Sequence, residues 1–119
     1  MIIHQRDIVW VNFLLNDGTM KPHMAVVVSQ DYLHETTGDI YLVMISSKNH
    51  FPENTFPITD EMVLNMKFNK TSYVICHLLT GFTEQSIVSV IGKMRKSYFE
   101  KMIQKVLDVI FGEDIAEPA

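Results

Sequence analysis

The side chains best suited to chemistry in this sequence are few and scattered. Cys76 and His77 are neighbours, and a thiolate–imidazole dyad needs those two groups within hydrogen-bond reach. Successive residues of a strand point to opposite faces, so the two cannot serve one another, and Cys76 reads as a small buried residue. Histidines stand at positions 4, 23, 34, 50 and 77, without the paired spacing of a zinc site. No metal and no other cofactor is expected. Trp10 and Tyr41 have rings that could stack on bases, although in alternating strands such rings more often face the core or a second protomer. Phe51 and Phe56 sit in Lys48–Pro57, which contains two prolines and two asparagines. That stretch reads as a long surface loop, a better place from which to stack. Positive charge comes from eight lysines and only two arginines, Arg6 and Arg95, so the side chain best shaped to grip phosphate with two parallel hydrogen bonds is nearly missing.

The elements that must position these groups follow from periodicity. Asp7–Phe13 is rich in β-branched and aromatic residues and reads as a strand. Asn16-Asp17-Gly18 supplies a tight turn, because Asp-Gly tolerates positive φ. A second strand, His23–Ser29, puts Met24, Val26 and Val28 on one face and His23, Ala25, Val27 and Ser29 on the other. The stretch Glu35–Asp39 reads as irregular and polar, and Ile40–Ser46 as a third strand. Ser72–Leu79 is apolar on both faces, as expected of a strand central to a closed or sandwiched sheet. Ile87–Met94 is a further strand, with Gly92 marking a bulge or a close approach. In the last element, Ser97 and Glu100 have the spacing of a capping box, Phe99, Met102, Ile103, Val106, Leu107 and Ile110 form an apolar stripe, and Gly112 is placed to end the helix. Strands first and one amphipathic helix last predict a small antiparallel barrel or sandwich with the helix across one opening. Of the eight methionines, Met20, Met24, Met62 and Met66 are candidates to line a partner groove, the others core.

The chain of 119 residues is one domain's length, expected as residues 1–112 with an acidic tail at 113–119. No apolar run is long enough to span a membrane, and the opening Met1–Asp7 meets charge too early for a signal peptide. A single cysteine agrees with a reducing, cytoplasmic setting. The net charge of −4 argues against nucleic acid at first sight. Three of the acids, Glu113, Asp114 and Glu117, lie in the tail, and the remainder carries 10 bases against 11 acids.

The order of several short segments resembles the PemK/MazF family of bacterial growth-inhibitor toxins over roughly Gln5–Phe111. These segments are Arg6-Asp7-Ile8-Val9-Trp10-Val11-Asn12-Phe13, Ala25-Val26-Val27-Val28-Ser29, Ile45-Ser46-Ser47, Lys70-Thr71-Ser72-Tyr73-Val74-Ile75 and Ile91-Gly92-Lys93-Met94. The resemblance implies a fold that is mainly β with a C-terminal α-helix, a small SH3-like barrel of the CcdB/MazF/PemK plasmid-maintenance type. It also implies a homodimer, single-stranded RNA as substrate, cleavage without a metal, and an antitoxin protein as partner.

The family's catalytic arginine, at the head of the second strand, falls on His23, and its threonine, at the end of the third, on Ser46. Serine keeps the hydroxyl, whereas histidine gives up permanent charge and two-pronged geometry for titration near neutrality. The resemblance thus implies His23 and Ser46 as catalytic, with His23 as general acid and base. Lys21, Ser47, Lys48 and His77 are implied for RNA binding. His77 falls where the family carries a glutamine, and Leu79 where it carries an arginine. A metal-independent endoribonuclease of a toxin–antitoxin system is the expectation. The alternative is a catalytically inactive binding protein on the same fold, acting on an antitoxin or a gyrase-like target.

Overall fold

The computed structural model describes residues 1–114. The strands are β1 (Asp7–Leu14), β2 (Met20–Val27), β3 (Asp39–Ser46), β4 (Thr55–Ile58), β5 (Val63–Leu64), β6 (Ser72–Thr83) and β7 (Ile87–Met94). The helices are α1 (Asp31–Thr37) and α2 (Lys96–Phe111). The strands form one antiparallel sheet in the order β4-β6-β3-β2-β1-β7-β5. Its two end strands, β4 and β5, are joined by a single 3₁₀ turn at Asp60–Met62. The sheet therefore curls until its edges nearly meet, which is the expected mainly-β barrel with a C-terminal helix.

The β1–β2 hairpin forms where the Asp-Gly pair requires it. Asp17 Oδ1 accepts from Thr19 N (2.9 Å) and Thr19 Oγ1 (2.6 Å), and Gly18 takes φ 86°. That left-handed conformation is open to glycine at little cost. From this turn the ladder runs Leu14↔Met20 to Ile8↔Val26, and it fixes which face each residue takes. Ile8, Val26, Val43, Ile45, Val74, Cys76 and Met94 pack on α2 through Phe99, Met102 and Val106. On the other face Val9, Val11, Ala25, Val27, Ile40, Leu42 and Met44 make a second core with Ile3 and Ile87, flanked by Phe13 and Phe82.

Several elements differ from the sequence expectations. Asp31–Thr37 is helical rather than irregular and buries no residue, so it has no apolar stripe to betray it. It is held by Gly38 in a left-handed cap (φ 80°) and by Asp31, which accepts from Gln5 N and contacts His4 Nδ1, both at 2.7 Å. Ser97 does not cap α2. The helix begins at Lys96, after Arg95, whose main-chain N–H is bonded to Met62 O (2.8 Å), so tertiary pairing at the end of β7 sets the start. Gly112 ends α2 with an ordinary φ of −64°. A Cβ there would lie 2.4 Å from Asp108 O, so close approach makes glycine necessary. Gly92 is also a close-approach site, since a Cβ would meet Met66 Cγ at 2.5 Å and Leu64 O at 2.9 Å. It sits beside a register shift in β7, where Ile8↔Gly92 is followed by Val9↔Val90.

The strand β6 is buried on both faces only as far as Cys76, while His77, Leu78 and Leu79 are exposed. The cause is a register break. Val43 pairs with Leu79 but Ile45 pairs with Val74, so Met44 alone faces four residues of β6. The loop expected at Lys48–Pro57 contains a 3₁₀ turn (Pro52–Asn54) and the start of β4, which pairs with β6 through Thr55↔Ile75 and Ile58↔Ser72. Met20 is exposed, whereas Met24, Met62 and Met66 are half-buried against the core under α2. Trp10 is half-buried, and Tyr41 is exposed with its ring over Gly81. Of the expected acidic tail, residues 115–119 lie outside the described part.

Candidate functional site

The two residues that the resemblance marks as catalytic are brought to one face by strand parity. The β2–β3 ladder pairs Val27↔Leu42, Val26↔Val43 and Ala25↔Met44. The ladder ends at Ala25↔Met44; beyond it, alternation puts His23 and Ser46 on the same sheet face as Ala25 and Met44. Among the described residues no hydrogen bond joins the two.

His23 lies across from Val11, half-buried, with its imidazole edge-on to Phe13 (centroids 5.7 Å apart, planes at 77°). Phe13 in turn packs on Phe82 at 6.2 Å. His23 Nε2 is buried without a hydrogen-bond partner, alone in this among the described side chains. Native folds rarely leave a buried polar atom unpaired, because its lost hydration costs about 1–3 kcal/mol. Sequence pattern does not single out Phe13 or Phe82. Alternation alone puts Phe13 on the face of Val11, but Phe82 arrives from a distant strand.

Ser46 is half-buried at the end of β3, and its Oγ accepts from Lys48 N at 3.1 Å. That bond folds Ser46-Ser47-Lys48 into a small turn and leaves the hydroxyl proton free to donate. Ser47 and Lys48 are exposed, and so is Lys21, opposite Phe13 on the hairpin. His77 stands out on the β6 bulge, its ring perpendicular to that of Phe51 with centroids 5.5 Å apart. The structure therefore gathers Ser46, Ser47 and Lys48 in one turn, with His23 on the same sheet face as Ser46 beyond the end of the β2–β3 ladder. It couples His77 to Phe51 rather than to His23.

Cys76 takes no part in this surface. It is fully buried, its Sγ reaches only Val74 O (3.7 Å), and burial pushes its thiol pKa up to about 11, which keeps it protonated and inert. Neither arginine reaches the β2–β3 rim. Arg6 Nη1 donates to Met94 O (3.1 Å) and Arg95 Nε to Glu61 O (3.2 Å). Among the described residues, no three His, Cys, Asp or Glu side chains converge to hold a metal. No helix there is long and apolar enough to cross a membrane.

Comparison with known proteins agrees with this fold. No curated protein matches the sequence significantly. Solved structures match the fold: an endoribonuclease in complex with its cognate antitoxin from a mycobacterial species has a TM-score of 0.72 at 11% identity, over 98% of this chain and 100% of that one. The MazE–MazF crystal structure from Deinococcus radiodurans gives 0.73 at 13% identity, over 92% and 96%. The Mycobacterium tuberculosis toxin MazF-mt6 gives 0.71 at 16% identity, over 92% and 99%. The family model of PemK-like, MazF-like toxins of type II toxin–antitoxin systems matches residues 4–110. With nearly the whole chain accounted for by that model, the protein belongs to the PemK-like, MazF-like toxin family.

Proposed function

We propose that this chain binds single-stranded RNA on the rim formed by β2, β3 and the β6 bulge, and cleaves it without a metal. The observation that supports the reading is strand parity: His23, and Ser46 whose Oγ accepts from Lys48 N, fall on one sheet face just beyond the Ala25↔Met44 end of the β2–β3 ladder. Residues 1–112 would act as one domain, in the cytoplasm, as a homodimer whose RNA-binding rim an antitoxin protein covers.

RNA cleavage through the 2′-hydroxyl forms a bond from the 2′-oxygen to phosphorus and breaks the bond to the 5′-oxygen. The first oxygen must lose a proton and the second must gain one. A general base, a general acid and donors to the phosphoryl oxygens lower the barrier. His23 Nε2 is buried, so Nδ1 is the nitrogen assigned to substrate. It takes the 2′ proton and, once charged, can return one to the leaving oxygen. Ser46 Oγ, already accepting from Lys48 N, donates its hydrogen to a phosphoryl oxygen. Lys21, Ser47 and Lys48 hold the flanking phosphates, and His77 the strand beyond. Because histidine lacks the bidentate fork of arginine, phosphate grip depends on these lysines.

The test is single-turnover cleavage of a mixed-sequence RNA in EDTA, with the ends identified. Wild type should yield 2′,3′-cyclic phosphate and 5′-hydroxyl ends, and His23→Ala should be slower by about 100-fold or more. Equal rates in the two proteins would remove His23 from the mechanism. Binding without cleavage by wild type would leave a non-catalytic RNA binder.

A further inference from the structure

Phe51 is 54% exposed, a large apolar ring left in water, yet its surroundings are built to hold it still. Asn54 N donates to Phe51 O (2.9 Å), closing the 3₁₀ turn, and the single hydrogen of Thr55 Oγ1 is shared between two acceptors, Asn49 Oδ1 (3.1 Å) and Pro52 O (3.0 Å). Pro52, the next residue, fixes its own φ and restricts that of Phe51. The β6 bulge then brings His77 against Phe51 in a T-shaped pair. Whichever ring offers its edge, His77 covers at most one face of Phe51, and more than half of the residue stays in water. Leu78 and Leu79 follow His77 on the bulge, 42% and 36% exposed. The loop that carries Phe51 starts from the Ser46–Lys48 turn.

A planar ring more than half exposed on an ordered turn, a few residues from a lysine and from a hydroxyl, has the elements of a stacking site for an unpaired base. We propose that Phe51, braced by His77, is the platform on which one nucleobase of the bound single strand stacks, anchoring it beside Ser46 and Lys48. This rests on RNA being the ligand of the rim. The ordered turn means that little ring freedom is lost on binding, which favours affinity.

The experiment is equilibrium binding of a short single-stranded RNA carrying 2-aminopurine at successive positions, read by anisotropy and by 2-aminopurine quenching. Wild type should quench the probe strongly at one position. Phe51→Ala should weaken binding about tenfold and abolish that quenching, while Phe51→Trp retains both. The slope of log affinity against log salt should not change in Phe51→Ala, since no phosphate contact is lost. An abasic nucleotide at the quenched position should erase the difference between wild type and Phe51→Ala. Unchanged affinity and quenching in Phe51→Ala overturn the platform and leave RNA binding intact. Altered self-association in sedimentation, with RNA binding unchanged, makes Phe51 a protein-contact residue and also overturns it. A wild-type chain that binds no RNA removes the parent reading and the platform together, and is recognised because wild type itself is silent.

Discussion

The seam where the N-terminal segment enters β1 and the rim at the ends of β2 and β3 use similar residues, histidine and lysine beside a small polar partner, and wire them differently. At the seam the Asp7 carboxylate, the Lys93 ammonium and the Arg6 main chain are all partnered. Asp7 is 5% exposed, accepts from Lys93 Nζ at 3.0 Å and from His4 N at 2.7 Å, and its strand is pinned by Arg6, whose N–H bonds Val27 O and whose carbonyl accepts from Met94 N. Arg6 holds φ 77° to do so, a conformation that a side chain tolerates only when its surroundings dictate it. At the rim, by contrast, a ring nitrogen is buried unpaired, a hydroxyl proton has no acceptor, and His77, Phe51, Lys21 and Lys48 face solvent. Structural polar residues are satisfied within the fold, whereas at the rim the Ser46 hydroxyl and the exposed lysines are left for a ligand, and the buried Nε2 of His23 is a cost the fold carries there.

That contrast breaks most visibly at Asp7. Removing the carboxylate in Asp7→Ala strands the Lys93 ammonium and the His4 N–H, and should cost about 3 kcal/mol in guanidinium unfolding. RNA affinity of the folded protein should not change. A loss under 1 kcal/mol would mean that the seam is no better wired than the rim.

The same comparison predicts the opposite sign at His23. In His23→Phe a ring of similar shape meets Phe13 and the unpaired Nε2 disappears, so stability should rise by about 1 kcal/mol while RNA cleavage is lost. A fall in the unfolding midpoint would show that Nε2 is satisfied, for instance by a buried water, and that the rim holds no strain.

How far each region could be read in advance follows the same division. The Asp17-Gly18 turn and the alternation of β1 and β2 are local properties, so the hairpin and the face of His23 are legible. The parity of Ile40–Ser46 likewise places Ser46 with Met44 and Leu42. Phe13, Phe82 and His23 come from three strands, and the burial of Nε2 exists only once those strands curl together. The β6 bulge depends on whether β3 or β4 claims each residue, a competition that apolar content does not report, so Leu78 and Leu79 read as core. Helix α1 hides because it buries no side chain, and Ser97 misleads because hydrogen bonding of Arg95 to Met62 outranks a local capping pattern. The scarcity of arginine is plain in the sequence, but not that both arginines are tied to main-chain carbonyls.

The smallest expected effect lies at the outer edge of the seam. Asp31 accepts from Gln5 N and contacts His4 Nδ1, and the Gln5 bond first, then the His4 bond, hold its carboxyl below the ordinary value of 3.8. A carboxyl whose pKa is depressed by folding stabilises the fold wherever it is ionised in both states. Its contribution is therefore complete above the unfolded value, and is lost as pH falls from there through the folded-state value. Because the Asp31 side chain is 41% exposed, solvent screening keeps the contribution well below that of Asp7. The stability difference between wild type and Asp31→Asn, followed from pH 6 down to the acid limit of folding, should be constant at first. It should then shrink below about pH 4. A difference that stays flat would mean that the neutral acid holds Gln5 and His4 equally well, making the seam's outer edge a matter of hydrogen-bond geometry rather than charge.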